Sequence, residues 1–393
     1  MKRYRTLLIA SAAVLAVIVL IMTVTDIFFR IYEKKTFIKE VDKNATVFDL
    51  NALGFNDYGP PVARDEEPGE FRILSIGDSY TAAITKPQYS FSAVLERELN
   101  RLGTGRRVRV INLGVGGTSF PQYLADYLFW SKILRFDAVL FNICLANDFT
   151  DVEFKPFDPK SLQREKFITG IGSTLPHLFP FRFLDYAYGI IQAEHNLKPA
   201  DEYYQPSYQV PWNRYVLSTV KVSRIFTPSE MPGFGNGLDW AGHFMAFVKQ
   251  LEDSGVRVAV MASPPHLFFN ERLLRETAAR AGVAADTIDR ALPLFVLNEF
   301  GRRRGVTGEI LDPSPCLAFH AAKGEDLYYG TDTHWTVRGN EIVGDYLADA
   351  LARRWFDVAP RPPVSDCPPG AKAQEAGEPA KAAVLGMIER LGL

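Results

Sequence analysis

The chain has 393 residues, 47% of them hydrophobic, enough for one large domain with a sizeable core or for two small ones. Its 44 basic and 46 acidic side chains leave a net charge of -2, and no basic stripe runs along it, which removes the electrostatic case for a nucleic-acid partner. Three widely spaced cysteines, Cys144, Cys316 and Cys367, form no CxxC pattern, so neither a zinc site nor a disulfide framework is expected, and Cys144 reads as a small apolar residue at a strand end.

In chain order, Lys2, Arg3 and Arg5 come first, followed by an uncharged stretch from Thr6 to Thr25. A helix of about 20 such residues spans a bilayer, and the basic flank stays cytoplasmic. A cleaved signal peptide is the rival reading; the length of the run and the lack of a small-x-small site after it favour an anchor. The expected organisation is a cytoplasmic tip and transmembrane helix over 1–30, then a stalk and lead-in over 31–70, with all that follows on the exported side.

From Phe71 onward, short apolar runs alternate with helical periodicity, the pattern of an α/β fold on a parallel sheet. Strands are expected at Phe71–Ile76, Val108–Asn112, Ala138–Ile143, Val256–Ala262 and Glu309–Leu311. Helices are expected at Phe91–Leu102, about Pro121–Leu134, Leu238–Glu252, within Asn270–Arg304, and from the N-cap Thr336 to about Trp355. These elements predict a three-layer α/β/α domain over 71–356 on a parallel sheet of about five strands. The stretch 151–235 breaks the rhythm with Pro, Phe and Tyr and reads as an insertion, either a lid over a cleft or a segment packed on the side of the core. Beyond Asp357, Pro, Ala, Gly and Glu predict a flexible tail over 357–393, with a short helix at Ala380–Leu391.

Three strand ends carry polar or glycine-rich residues: Asp78-Ser79, Gly114-Val115-Gly116-Gly117, and Asn147-Asp148. In open parallel sheets, ligands bind at those ends. A further cluster, Asp332-Thr333-His334-Trp335, stands just before the last helix. A serine hydroxyl needs a neighbouring base, an imidazole serves near neutral pH, and a carboxylate fixes its tautomer. The oxyanion formed in acyl transfer needs fixed N–H donors, which the amides of Ser79 and Gly117 and the side chain of Asn147 can supply. Singly, each signal is weak: Gly-Asp-Ser occurs in turns, Asn147-Asp148 caps helices, and a lone histidine is often a packing residue. The glycines lack the GxGxxG spacing of a dinucleotide loop. It is the set, each member at a strand end or helix start, that points to one site. His266 and His320 are candidates to line the cleft but read rather as structural, Asp148 and Asp151 as caps or loop anchors, and Asp78 as a brace for the serine turn.

The four blocks Gly77-Asp78-Ser79, Asn112-Leu113-Gly114-Val115-Gly116-Gly117, Ala146-Asn147-Asp148 and Asp332-Thr333-His334 resemble those of the SGNH (GDSL-like) hydrolase superfamily. The lead-in Leu53-Gly54-Phe55-Asn56-Asp57 resembles that of its exported members. The resemblance implies Ser79 as nucleophile, His334 as base and Asp332 as its orienting carboxylate. It also implies an oxyanion hole from Ser79, Gly117 and Asn147, and neither a metal nor a cofactor. The usual Asp–His spacing is three, whereas Asp332 and His334 are two apart. In that respect Tyr328–Thr336 is similar to the periplasmic alginate O-acetyltransferase branch, in which the serine block follows the Asp–His block rather than preceding it. The expectation is a single-pass inner-membrane protein with a periplasmic esterase or O-acyltransferase domain acting on cell-envelope carbohydrate. An acyl-transfer role calls for an acyl-donor protein beside it in the membrane. The alternative is a catalytically silent scaffold or binding module on the same fold.

Overall fold

Every residue of Glu70–Gly77 is buried, as befits a strand covered on both faces, and this strand is the spine of the fold. The computed structural model describes residues 45–150, 152, 210–358, 366–368 and 375–391; the expected anchor and most of the stalk and insertion lie outside them. Among the described residues no helix is long and apolar enough to cross a membrane. A two-stranded antiparallel ribbon, β1 (Val47–Phe48) with β2 (Val62–Ala63), precedes the main sheet.

The main sheet comprises β3 (Glu70–Gly77), β4 (Arg107–Asn112), β5 (Ala138–Cys144) and β6 (Arg257–Ser263), all parallel, in the order β4-β3-β5-β6. The helices are α1 (Leu50–Leu53), α2 (Ser79–Ala82), α3 (Phe91–Arg101), α4 (Phe120–Trp130) and α5 (Trp212–Ser223), then α6 (Gly235–Asp253), α7 (Glu271–Ala281), α8 (Leu292–Arg304), α9 (Ser314–Ala322), α10 (Val337–Phe356) and α11 (Glu378–Leu391). The chain steps from β3 to β4 in one direction and from β4 over β3 to β5, then β6, in the other. With right-handed crossovers this puts α3 on one face and α4 and α6 on the other. The packing agrees: α10 lies on α3, while α6 lies against α4 and α8. The second layer is cemented by aromatic contacts, Phe141 edge-on to Phe244 at 5.3 Å and Phe120 tilted against Phe244 at 5.5 Å.

Two differences from expectation have plain causes. Among the described residues the sheet has four strands rather than five, because Glu309–Leu311 makes only a single parallel bridge, Leu311 to Met261. Its two hydrogen bonds, Leu311 N to Val260 O (2.8 Å) and Leu311 O from Ala262 N (2.9 Å), are not extended, since Pro313 follows and lacks a donor. The cysteines also pair: Cys316 in α9 is joined to Cys367. Within the stretch expected as a tail, α11 buries Ala380, Val384, Met387 and Ile388 and packs on α8, with Gly377 N donating to Asp289 Oδ2 at 2.8 Å.

Candidate active site

The chain turns sharply as β3 gives way to α2. Asp78 caps the short helix, its Oδ1 accepting from Tyr80 N (3.0 Å), and Ser79 is the first helical residue. Two glycines let neighbouring segments press against this turn. A Cβ on Gly77 would lie 2.2 Å from Thr81 Oγ1 and 2.8 Å from Asn142 O. One on Gly114 would lie 2.2 Å from Ala82 N and 2.5 Å from Thr81 C. Gly114 is therefore a close-approach residue, neither a mere turn glycine nor part of a dinucleotide loop. From the same block, Val115 N donates to Gly77 O (3.0 Å).

The lead-in closes the clamp. Asn56 Nδ2 donates to the carbonyls of Ala82 (2.7 Å), Ala83 (3.2 Å) and Thr85 (2.9 Å), gathering the exit of α2. Asn112 Nδ2 donates to Asn56 O (3.0 Å) and Thr81 O (2.8 Å), and Asp57 Oδ1 accepts from Asn112 N (2.9 Å). Ala83 sits at φ 55, a conformation costly for a side chain with a Cβ, and this web is what holds it there.

The Asp–His block docks directly on the serine turn. Tyr328 and Trp335 pair across a tight antiparallel turn that presents Asp332, Thr333 and His334. Trp335 is buried at 4.7 Å from the Tyr80 ring and 6.1 Å from Phe91, and Tyr80 Oη donates to Thr333 O at 2.6 Å. The His334 ring lies 5.5 Å from that of Tyr80. The two-residue spacing works because the turn curls: one atom, Asp332 Oδ1, accepts from both His334 N (3.0 Å) and His334 Nδ1 (2.5 Å). That bond puts the proton on Nδ1 and leaves Nε2 as the basic nitrogen. Burial pulls the imidazole pKa down, but the charge and hydrogen bond of Asp332, together with the charge of Asp78, outweigh it and hold the pKa above the ordinary 6.5.

Ser79 and Asn147 line one cavity of about 240 Å³, and Thr333 lines it too. Gly117, at φ 71, stands on an exposed turn and does not line this cavity. Asp148 is a loop anchor, its Oδ2 accepting from Tyr123 Oη (2.8 Å) and Cys144 N (2.9 Å). Asp151 lies outside the described residues. His320 is fully buried, with Nδ1 2.6 Å from Glu325 Oε1 and Nε2 2.9 Å from Asp366 Oδ1. The far side of the cavity is built by α5 of the expected insertion, through Tyr215, Thr219 and Val222, together with Phe226 and Leu267. Those residues, and the clamp residue Asn56, do not stand out in the sequence. The one signal that could have found them is the helical spacing of Tyr215, Thr219 and Val222.

Fold and site together define an α/β domain on a parallel sheet, with Ser79 and Asn147 at one cavity beside an Asp–His turn. Residues 239–388 match the family model described as SGNH hydrolase-like domain, acetyltransferase AlgX. The matched stretch contains Asp332 and His334 but not Ser79, Gly117 or Asn147. Among solved structures the chain is similar to a lipase/acylhydrolase from Enterococcus faecalis, at 12% identity over 72% of this chain and 96% of that one, with a TM-score of 0.34. It is also similar to an acetyl xylan esterase, AlAXEase, at 12% identity over 72% and 100%, TM-score 0.34. A third is the acetylxylan esterase Axe2 from Geobacillus stearothermophilus, at 13% identity over 74% and 96%, TM-score 0.33. No curated relative matches the chain. The family match supports an SGNH-type ester hydrolase or O-acetyltransferase.

Proposed function

We propose that this protein is a membrane-anchored, exported serine esterase or O-acyltransferase that cleaves or transfers acetyl esters on cell-envelope carbohydrate. The observation that carries the reading is the part-buried Asp332–His334 pair, seated through Tyr80 and Trp335 on the turn that bears Ser79. In the mechanism, His334 Nε2 takes the Ser79 proton as Oγ bonds to the ester carbonyl carbon. Asp332 steadies the imidazolium, and the amides of Ser79 and Gly117 with the Asn147 side chain receive the oxyanion. The carbonyl–alkoxy bond then breaks, the leaving alcohol takes the proton from His334, and an acyl-enzyme remains. Water resolves it in hydrolysis; a sugar hydroxyl resolves it in transfer, with the donor supplied by a membrane partner. The Cys316–Cys367 disulfide supports an oxidising, exported compartment, and the basic flank and apolar run at the N-terminus support the anchor.

The catalytic form needs a neutral His334, and its pKa is raised, so kcat/KM is expected to rise with pH through an apparent pKa above 6.5. The pH profile with p-nitrophenyl acetate measures it; an acid limb centred below 6.5 speaks against His334 as the base. The same substrate with and without an oligosaccharide acceptor separates the two activities. Acetylated acceptor detected by mass spectrometry means transfer, acetate release alone means hydrolysis, and inertness of folded protein means a scaffold.

A further inference from the structure

Most of the wall facing Ser79 is apolar, yet α5 puts one phenol there, Tyr215, and its hydroxyl lies 2.9 Å from His266 Nδ1. The neighbours determine where each proton sits. Asn270 caps α7 with its Oδ1, which accepts from Leu273 N (2.9 Å), so its Nδ2 is the atom that meets His266 Nε2 at 3.2 Å. An amide nitrogen only donates, and Nε2 therefore accepts and carries no proton. Burial, partly opposed by the charge of Asp332, lowers the His266 pKa to about 4, which keeps the ring neutral near pH 7 with its proton on Nδ1. Nδ1 thus donates to Tyr215 Oη. The imidazole is held in this orientation, because it stacks on Tyr328 (4.8 Å between centroids, 9° between planes), whose own hydroxyl is tied to Pro264 O at 2.7 Å. Since Tyr215 Oη accepts from His266, its own proton is directed elsewhere, and its hydrogen-bonding neighbour on the cavity wall is the Thr333 side chain.

We infer that Tyr215 is a substrate-recognising donor, presented by the Asn270–His266 relay to a hydroxyl or ring oxygen of the alcohol part of the substrate, so that the site selects polyhydroxylated esters. This rests on the proposed function in taking the cavity as the substrate chamber. The physical basis is that a substrate oxygen reaching Tyr215 Oη gains a directed hydrogen bond in a mostly apolar chamber, which an ester lacking that oxygen forgoes while Tyr215 stays with Thr333. The insertion thereby acquires a role, since α5 carries the specificity element and His266 of the core aims it.

The test is made in protein lacking the Ser79 hydroxyl, so that binding is read whether or not Ser79 performs the chemistry. Calorimetric titration of Ser79→Ala with an O-acetylated xylo-oligosaccharide is compared with that of Ser79→Ala/Tyr215→Phe. The expected result is binding about tenfold weaker on loss of the phenol oxygen, the scale of one hydrogen bond. His266→Gln in the Ser79→Ala background is expected to weaken binding in the same direction. Added to Tyr215→Phe it is expected to cause no further loss, because the two act as one unit. A purely structural His266 would instead add its own loss, and His266→Gln also serves should Tyr215→Phe fail to fold. Unchanged affinity in both variants, additive losses, or no binding by Ser79→Ala would overturn the inference. Failure of the catalytic reading shows separately, as absence of covalent labelling at Ser79 in the wild type.

Discussion

Replacing Asp332 with Asn is expected to lower kcat by about four orders of magnitude while leaving the fold in place. The carboxylate does two things with one oxygen, accepting from His334 N and from His334 Nδ1. An amide has one acceptor atom and one donor atom. If its oxygen keeps the backbone bond, the turn survives, yet the negative charge that holds the proton on Nδ1 and raises the imidazole pKa is gone. Nε2 then carries the proton for part of the population and cannot act as a base, and the imidazolium formed on attack loses its counter-charge. Turnover of p-nitrophenyl acetate, with thermal unfolding as the control for the fold, measures this. A fall of less than about tenfold in a folded variant would mean that the Asp332–His334 pair is structural.

The second large effect is expected at Gly114. An alanine methyl there would meet main-chain atoms, Ala82 N at 2.2 Å and Thr81 C at 2.5 Å, and neither can move aside as a flexible side chain can. The glycine block or α2 must shift. Asn112, which donates to Thr81 O and accepts from Gly114 N (3.0 Å), loses its geometry with them. Overpacking of this kind costs about 1–3 kcal/mol or more, and here the displaced element bears Ser79. Gly114→Ala should therefore lower the thermal midpoint by several degrees and abolish most of the activity that survives at lower temperature. Gly117→Ala is a useful contrast, because a methyl at Gly117 meets nothing within 4 Å and the strain arises only from φ 71. Equal stability of Gly114→Ala and wild type would show that the two segments are not in the contact described.

What is legible in the chain follows from the physics of parallel sheets. Strands buried on both faces are continuous apolar runs, and Phe71–Ile76, Val108–Asn112 and Ala138–Ile143 fall within β3, β4 and β5. Helix α10 is marked by its cap, Thr336, whose hydroxyl accepts from Gly339 N. The candidate site residues stand out in the sequence because each sits at such a boundary. Less legible is anything that depends on tertiary contact. Glu309–Leu311 is apolar enough for a strand but ends at a proline after one bridge. The Cys316–Cys367 pair closes a separation of 51 residues that spacing alone does not reveal. Asn56 reads as one residue of a lead-in, and only the fold brings it to three carbonyls at the end of α2. Tyr215 and His266 are 51 residues apart and become a pair because α5 lies along the cavity. The Asp332–His334 spacing is the informative exception: a departure in sequence that the curled turn resolves through a shared carboxylate oxygen.

All of this chemistry requires Ser79 to be an activated nucleophile. Treating the folded chain with a fluorophosphonate and mapping the adduct by peptide mass spectrometry reads that property without reference to any substrate. The expected outcome is one phosphonylated serine, Ser79, with labelling lost in Ser79→Ala and slowed in Asp332→Asn. An adduct on a different serine, or none on folded wild-type protein, would contradict it.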